Sequence, residues 1–136
     1  MYSEGRYQEA ALNYRNSIKK DANFAEAHYR LAVAELKQGN GPEAYSEFQR
    51  AVNLAPNRDD IRVELADLAL RFYSADPSKP QILYNQVRDT AEYLLNKDAN
   101  SFQGLRLRGD VLSIDRRFEE AVAVYRRADS VKPLTR

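Results

Sequence analysis

The apolar positions of Ala25 to Lys37, Leu31 and Ala34 with His28 and Glu35 beside them, recur in steps of three and four, the spacing of one helical face. Gly39-Asn40-Gly41-Pro42 then supplies a helix stop, an N-cap and a first-turn proline, which predicts a sharp turn into an antiparallel neighbour. A second stripe, Ile61, Leu65, Ala66, Leu68, Ala69 and Phe72, predicts another helix. Ser74 to Pro80 breaks it, because two prolines and small polar residues do not continue a helix. Helix resumes near Pro80 and runs to Lys97. Starts are marked by Asn23 with Glu26, Asn40 with Glu43, Asn100 with Gln103 and, more loosely, Asn57 with Asp60. The pattern predicts an all-α chain of about seven helices.

These elements repeat. Ala25 to Pro56 and Phe102 to Pro133 are both 32 residues long, and Ala44, Phe48, Ala51 and Pro56 keep the spacing of Ala121, Tyr125, Ala128 and Pro133, with Ala32 matching Gly109. A shortened copy opens the chain, where Gly5 to Ala10 answers Arg116 to Ala121 and Tyr14 and Ser17 fall where Phe48 and Ala51 fall. The middle copy, Asp59 to about Ser101, is some nine residues longer and puts Val87, Ala91 and Leu94 where Ala, aromatic and Ala are expected. It must pack differently from the others. Small residues at 32, 44 and 51 let paired helices approach closely, Phe48 and Tyr125 fill the space between pairs, and stacking the pairs gives a continuous core. One repeat domain, 1–136, is expected, divided at 1–24, 25–58, 59–101 and 102–136.

Composition removes most chemistry. With 43% apolar and 30% charged residues, the chain is globular rather than disordered. No run approaches the length of a membrane span, and Met1 to Gly5 lacks the apolar core of a signal peptide. The absence of Cys excludes a disulfide framework, a thiolate nucleophile and cysteine-bound zinc. His28, the one histidine, excludes a histidine-pair metal site and reads as a packing residue. The carboxylate pairs Asp59/Asp60 and Glu119/Glu120 are adjacent, so they diverge on a helix and read as helix-start charges. No glycine-rich phosphate loop occurs. No catalytic, cofactor-binding or metal-binding residue is expected, and the chain reads as a non-enzyme. A net charge of +1 provides no global field for nucleic acid, although residues 102 to 136 hold eight Lys/Arg against five Asp/Glu.

The pattern at His28, Leu31-Ala32, Glu35, Ala44, Phe48 and Pro56, and again at Leu105, Arg108-Gly109, Leu112, Ala121, Tyr125 and Pro133, resembles that of the tetratricopeptide repeat family. The second helices match more closely than the first, since His28, Glu35 and Arg108 depart from the family's residues. The resemblance implies a right-handed α-solenoid of antiparallel helix pairs whose first helices line a concave groove for a peptide or a partner protein. It places Tyr29, Val33, Lys37, Val63, Asp67, Arg71, Arg106, Asp110 and Ser113 on that groove. Two apolar contacts and a tyrosine among mixed charges suit a peptide bearing both kinds of side chain. The competing reading for the charges is mutual satisfaction at i,i+4, Asp67 with Arg71 and Arg106 with Asp110. The family's two-carboxylate clamp is not reproduced, because Tyr29, Val33 and Asp67 occupy its places.

The function expected is a non-catalytic protein-interaction scaffold. The alternatives are an RNA-binding helical repeat using the Arg-rich last copy, or the regulatory domain of a larger enzyme. The truncated first copy and the lack of a polar capping helix after Pro133 read as a fragment of a longer repeat protein, whose uncapped ends favour homo-oligomers.

Overall fold

The computed structural model describes residues 4–132, and among them every regular element is a helix. These are α1 (Glu4–Lys20), α2 (Ala25–Lys37), α3 (Gly41–Leu54), α4 (Asp59–Ala75), α5 (Gln81–Lys97), α6 (Phe102–Ile114) and α7 (Phe118–Val131). The all-α expectation holds. Pro133, the closing position of the last copy, and Met1 to Ser3 lie outside the described residues. The chain divides into two compact units, Met1–Leu68 and Ala69–Arg136, with the boundary inside α4.

In the first unit α1 packs on α2 and α2 on α3. Ala11, Leu31 and Ala34 form one core cluster, closed by the partly buried Tyr14 and Ile18. Ala32, Ala44, Phe48 and Ala51 are fully buried, as repeated alanines flanking one aromatic require when two helices pack closely. The α2–α3 turn follows the sequence reading. Gly39 ends α2 at φ +81°, where a Cβ would meet no atom within 4 Å, so the backbone angle alone demands glycine. Pro42 sits in the first turn of α3.

In the second unit α5 packs on α6 and α6 on α7. Val87, Ala91 and Leu94 are all buried, so the odd-sized residues of the middle copy are still packing residues. Its extra length is mostly helix. Helices α4 and α5 each have 17 residues, whereas α2 and α6 have 13 and α3 and α7 have 14. In the intervening turn the Asp76 carboxylate accepts from the Ser78 backbone N–H and hydroxyl at 2.9 and 2.8 Å. Lys79 caps the end of α4 by donating to the carbonyls of Tyr73 and Ser74 at 3.2 and 3.1 Å.

Most of the expected caps are displaced. Asn23 and Asn100 do not cap; their backbone N–H groups donate to Asp21 and Asp98 at 3.0 and 2.9 Å, forming the same aspartate turn twice. The caps fall one residue later. Ser101 accepts from Gly104 N–H at 3.0 Å, while Phe24, at the matching place before α2, has no side-chain oxygen to offer. Asn40 is the N-cap of α3, yet its amide donates to Glu35 Oε2 at 3.2 Å rather than to the helix. Glu35 is only 3% exposed, and a buried carboxylate left without donors costs more than a missing cap.

Candidate functional site

On α2, Tyr29 is half-buried, Val33 is half-buried and Lys37 is exposed; on α4, Val63 and Asp67 are half-buried. Tyr29 is firmly held. Its hydroxyl donates to Glu64 Oε2 at 2.7 Å, and its ring lies tilted against Phe48 at 6.1 Å between centroids. The guanidiniums of Arg30 and Arg58 stand 5.9 and 5.7 Å from the ring centroid. The hydrogen bond to Glu64, then burial, pushes the Tyr29 phenol up to about 12, so it stays protonated and keeps donating at neutral pH. Arg58 bridges Glu26 of α2 and Asp60 of α4, with Nη1 at 2.9 Å from Glu26 and Nη2 at 2.9 Å from Asp60. Both carboxylates are thereby held below their ordinary pKa. The α2 and α4 side chains around Tyr29 are therefore fixed in place before any ligand arrives.

Arg71, Arg106 and Asp110 belong to the second unit. Arg71 is exposed. Arg106 Nη1 lies 3.7 Å from Asp110, which also accepts the Tyr125 hydroxyl. The i,i+4 pairing weighed from the sequence exists here. Ser113 is half-buried on the same helix.

Two buried polar groups had partners that the sequence did not reveal. His28, 4% exposed, donates from Nε2 to the Ala22 carbonyl at 2.8 Å and sets Nδ1 at 2.6 Å from Glu47 Oε1. Glu47 also accepts from Arg50 at 2.9 Å. Both ring nitrogens are engaged, in keeping with a packing residue. Glu35 takes Arg15 of α1 on Oε1 and Asn40 on Oε2. A polar residue on an otherwise apolar stripe was the available signal. Among the described residues no three His, Asp or Glu side chains gather as metal ligands, and no helix is long and apolar enough to cross a membrane.

The family model described as tetratricopeptide repeat matches residues 1–62. The match covers just under half of the chain. A MamA structure described as the RS-1 ArsTM double mutant superposes with TM-score 0.74 at 17% identity, over 95% of this chain and 67% of that one. A second, described as the crystal structure of MamA protein, gives TM-score 0.72 at 17% identity over 92% and 63%. The present chain thus spans about two thirds of those structures' length, and at such identity the likeness concerns the fold alone. No curated protein matches the sequence.

Proposed function

We propose that the chain is a non-catalytic protein-interaction module that takes a peptide or a partner's surface on the first helices of its pairs. The tetratricopeptide repeat of residues 1–62 supports an interaction scaffold in general. The observation that carries the finer reading is the clamped Tyr29, whose ring and hydroxyl are fixed by Phe48 and Glu64. A rigid aromatic loses little entropy when a ligand packs on it. Val33 and Val63 supply further apolar contacts, and Lys37 and Asp67 opposite charges, for a peptide with both kinds of side chain. In the second unit Arg106 and Asp110 form a charged contact of their own.

The test uses peptides selected by display on the immobilised full chain. Exchanging Val33→Glu together with Asp67→Lys weakens their binding by about 1 to 3 kcal/mol and leaves the melting temperature within about two degrees. Undiminished affinity in that double variant would remove Val33 and Asp67 from the binding surface.

A further inference from the structure

The arginines of the last copy are not equivalent. Arg106 is paired with Asp110, Arg127 donates to the Ala99 carbonyl and Asn100 at 3.2 and 2.9 Å, and Arg116 stacks 5.5 Å from the Phe118 ring centroid. Arg126 and Arg108 differ from these: both are exposed and make no hydrogen bond or ion pair with a described residue. Of the two, Arg108 stands beside a cavity. This cavity, of about 130 Å³ between α5 and α6, is also lined by Arg88 and Arg117, over an apolar floor that includes Ala91 and Leu112.

Each of the other two guanidiniums is only half used. Arg88 gives Nε and Nη2 to Asp89 at 3.1 and 3.0 Å, and Arg117 gives Nε and Nη2 to Glu120 at 2.6 and 2.7 Å. Both leave Nη1 without a described partner. The cavity also holds two carboxylates in contrasting states. Asp115 is engaged, its two oxygens each accepting the Tyr84 hydroxyl at 3.0 Å, whereas Glu92 bonds to no described residue. Three guanidiniums with spare donors call for an anion. The neighbouring carboxylates repel a polyanion such as a nucleic-acid backbone, and the open Glu92 asks for a hydrogen-bond donor beside that anion. An acidic residue within a polypeptide has both, a single carboxylate and an adjacent backbone N–H. The apolar floor accepts an aliphatic neighbour.

We infer that the cavity between α5 and α6 is a docking site for an acidic side chain of a protein partner, flanked in the partner by an aliphatic residue. Arg108 is its principal contact. The inference rests on the reading of the chain as an interaction module but uses a surface separate from Val33 and Asp67.

The probe is a capped peptide of alternating Leu and Glu, with its Leu and Gln counterpart as control, titrated into the isotope-labelled full chain by NMR. The Glu peptide binds about tenfold more tightly or better, as a charge-assisted hydrogen bond implies, and shifts signals of Arg88, Arg108 and Arg117. Arg108→Gln abolishes the preference for Glu and leaves the melting temperature unchanged. Arg108→Lys restores it in part, because one ammonium replaces a fork of donors. The Val33→Glu/Asp67→Lys variant retains the preference, so failure of one surface is distinguishable from failure of the other. Equal behaviour of the two peptides, binding by neither, or a preference that survives Arg108→Gln overturns the inference. So does displacement of the peptide by inorganic phosphate or oligouridine at equal concentration, which would assign the cavity to a phosphate.

Discussion

The hairpins α2/α3 and α6/α7 have matching helix lengths and alanine spacing, yet they solve the same packing problem differently. In the first, Ala32 and Phe48 occupy the matched positions and both are fully buried. In the second the pair is Gly109 and Tyr125. The tyrosine ring lies so close to α6 that a Cβ on Gly109 would collide with its Cε1, while the hydroxyl reaches Asp110. The half-buried Tyr125 thus combines apolar contact with a polar tether, and glycine makes room for it. Burial and hydroxyl bonding raise its pKa together. A repeat position therefore specifies an aromatic and the space facing it as a coupled choice, rather than two independent residues.

The largest expected difference is between the aromatics. Phe48→Ala leaves a cavity in a dry core and costs about 3 to 5 kcal/mol. Tyr125→Ala costs about 1 to 3 kcal/mol, since its site opens to solvent, where water can fill the gap. Urea unfolding of the two variants measures both. Equal losses would show that the hairpins pack their aromatics alike.

A sharper probe exchanges the facing residue. Gly109→Ala forces the Tyr125 ring to move and costs about 1 to 3 kcal/mol, despite alanine's better helix propensity. In a Tyr125→Ala background the same change stabilises by about 0.5 to 1 kcal/mol, because only the propensity difference remains. Ala32→Gly in the first hairpin costs about 0.5 to 1 kcal/mol in helix propensity alone. A double-mutant cycle for Gly109 and Tyr125 with no coupling energy would contradict the coupled choice.

The repeat architecture was legible because spacing of small and aromatic residues is a local signal, and Ala44, Phe48, Ala121 and Ala128 are buried as that spacing requires. The polar partners were not. Glu35 sits among apolar neighbours in the sequence, and its donor Arg15 comes from the preceding helix. Tyr29 finds Glu64 35 residues away. The caps misled for a different reason. Asp21 and Asp98 compete for the asparagine N–H groups two residues later, and an aspartate turn moves each helix start beyond the expected asparagine. For the candidate binding surfaces, the sequence supplied the residue types on α2 and α4. It did not separate Arg108 from Arg106 and Arg117, because that distinction depends on which carboxylates each one meets.

The smallest expected effect lies at those displaced caps. Lys20-Asp21-Ala22-Asn23 and Lys97-Asp98-Ala99-Asn100 fold into the same turn, so Phe24 and Ser101 stand at equivalent N-cap positions before α2 and α6. Ser101→Ala removes the acceptor for Gly104 N–H and costs about 1 kcal/mol. Phe24→Ser transplants that acceptor into the first hairpin and removes a ring that is already 47% exposed. Its net gain is about 0.5 kcal/mol, a cap of about 1 kcal/mol reduced by the loss of the ring's remaining contacts. Thermal unfolding of both variants, with protection of the amides at 27 and 104 from hydrogen exchange, reads the effect locally. A gain at Phe24→Ser with greater protection at 27, whose amide already donates to the Phe24 carbonyl at 3.1 Å, would show that the two turns are interchangeable. A loss there would mean that the Phe24 ring stabilises its turn more than a serine cap does.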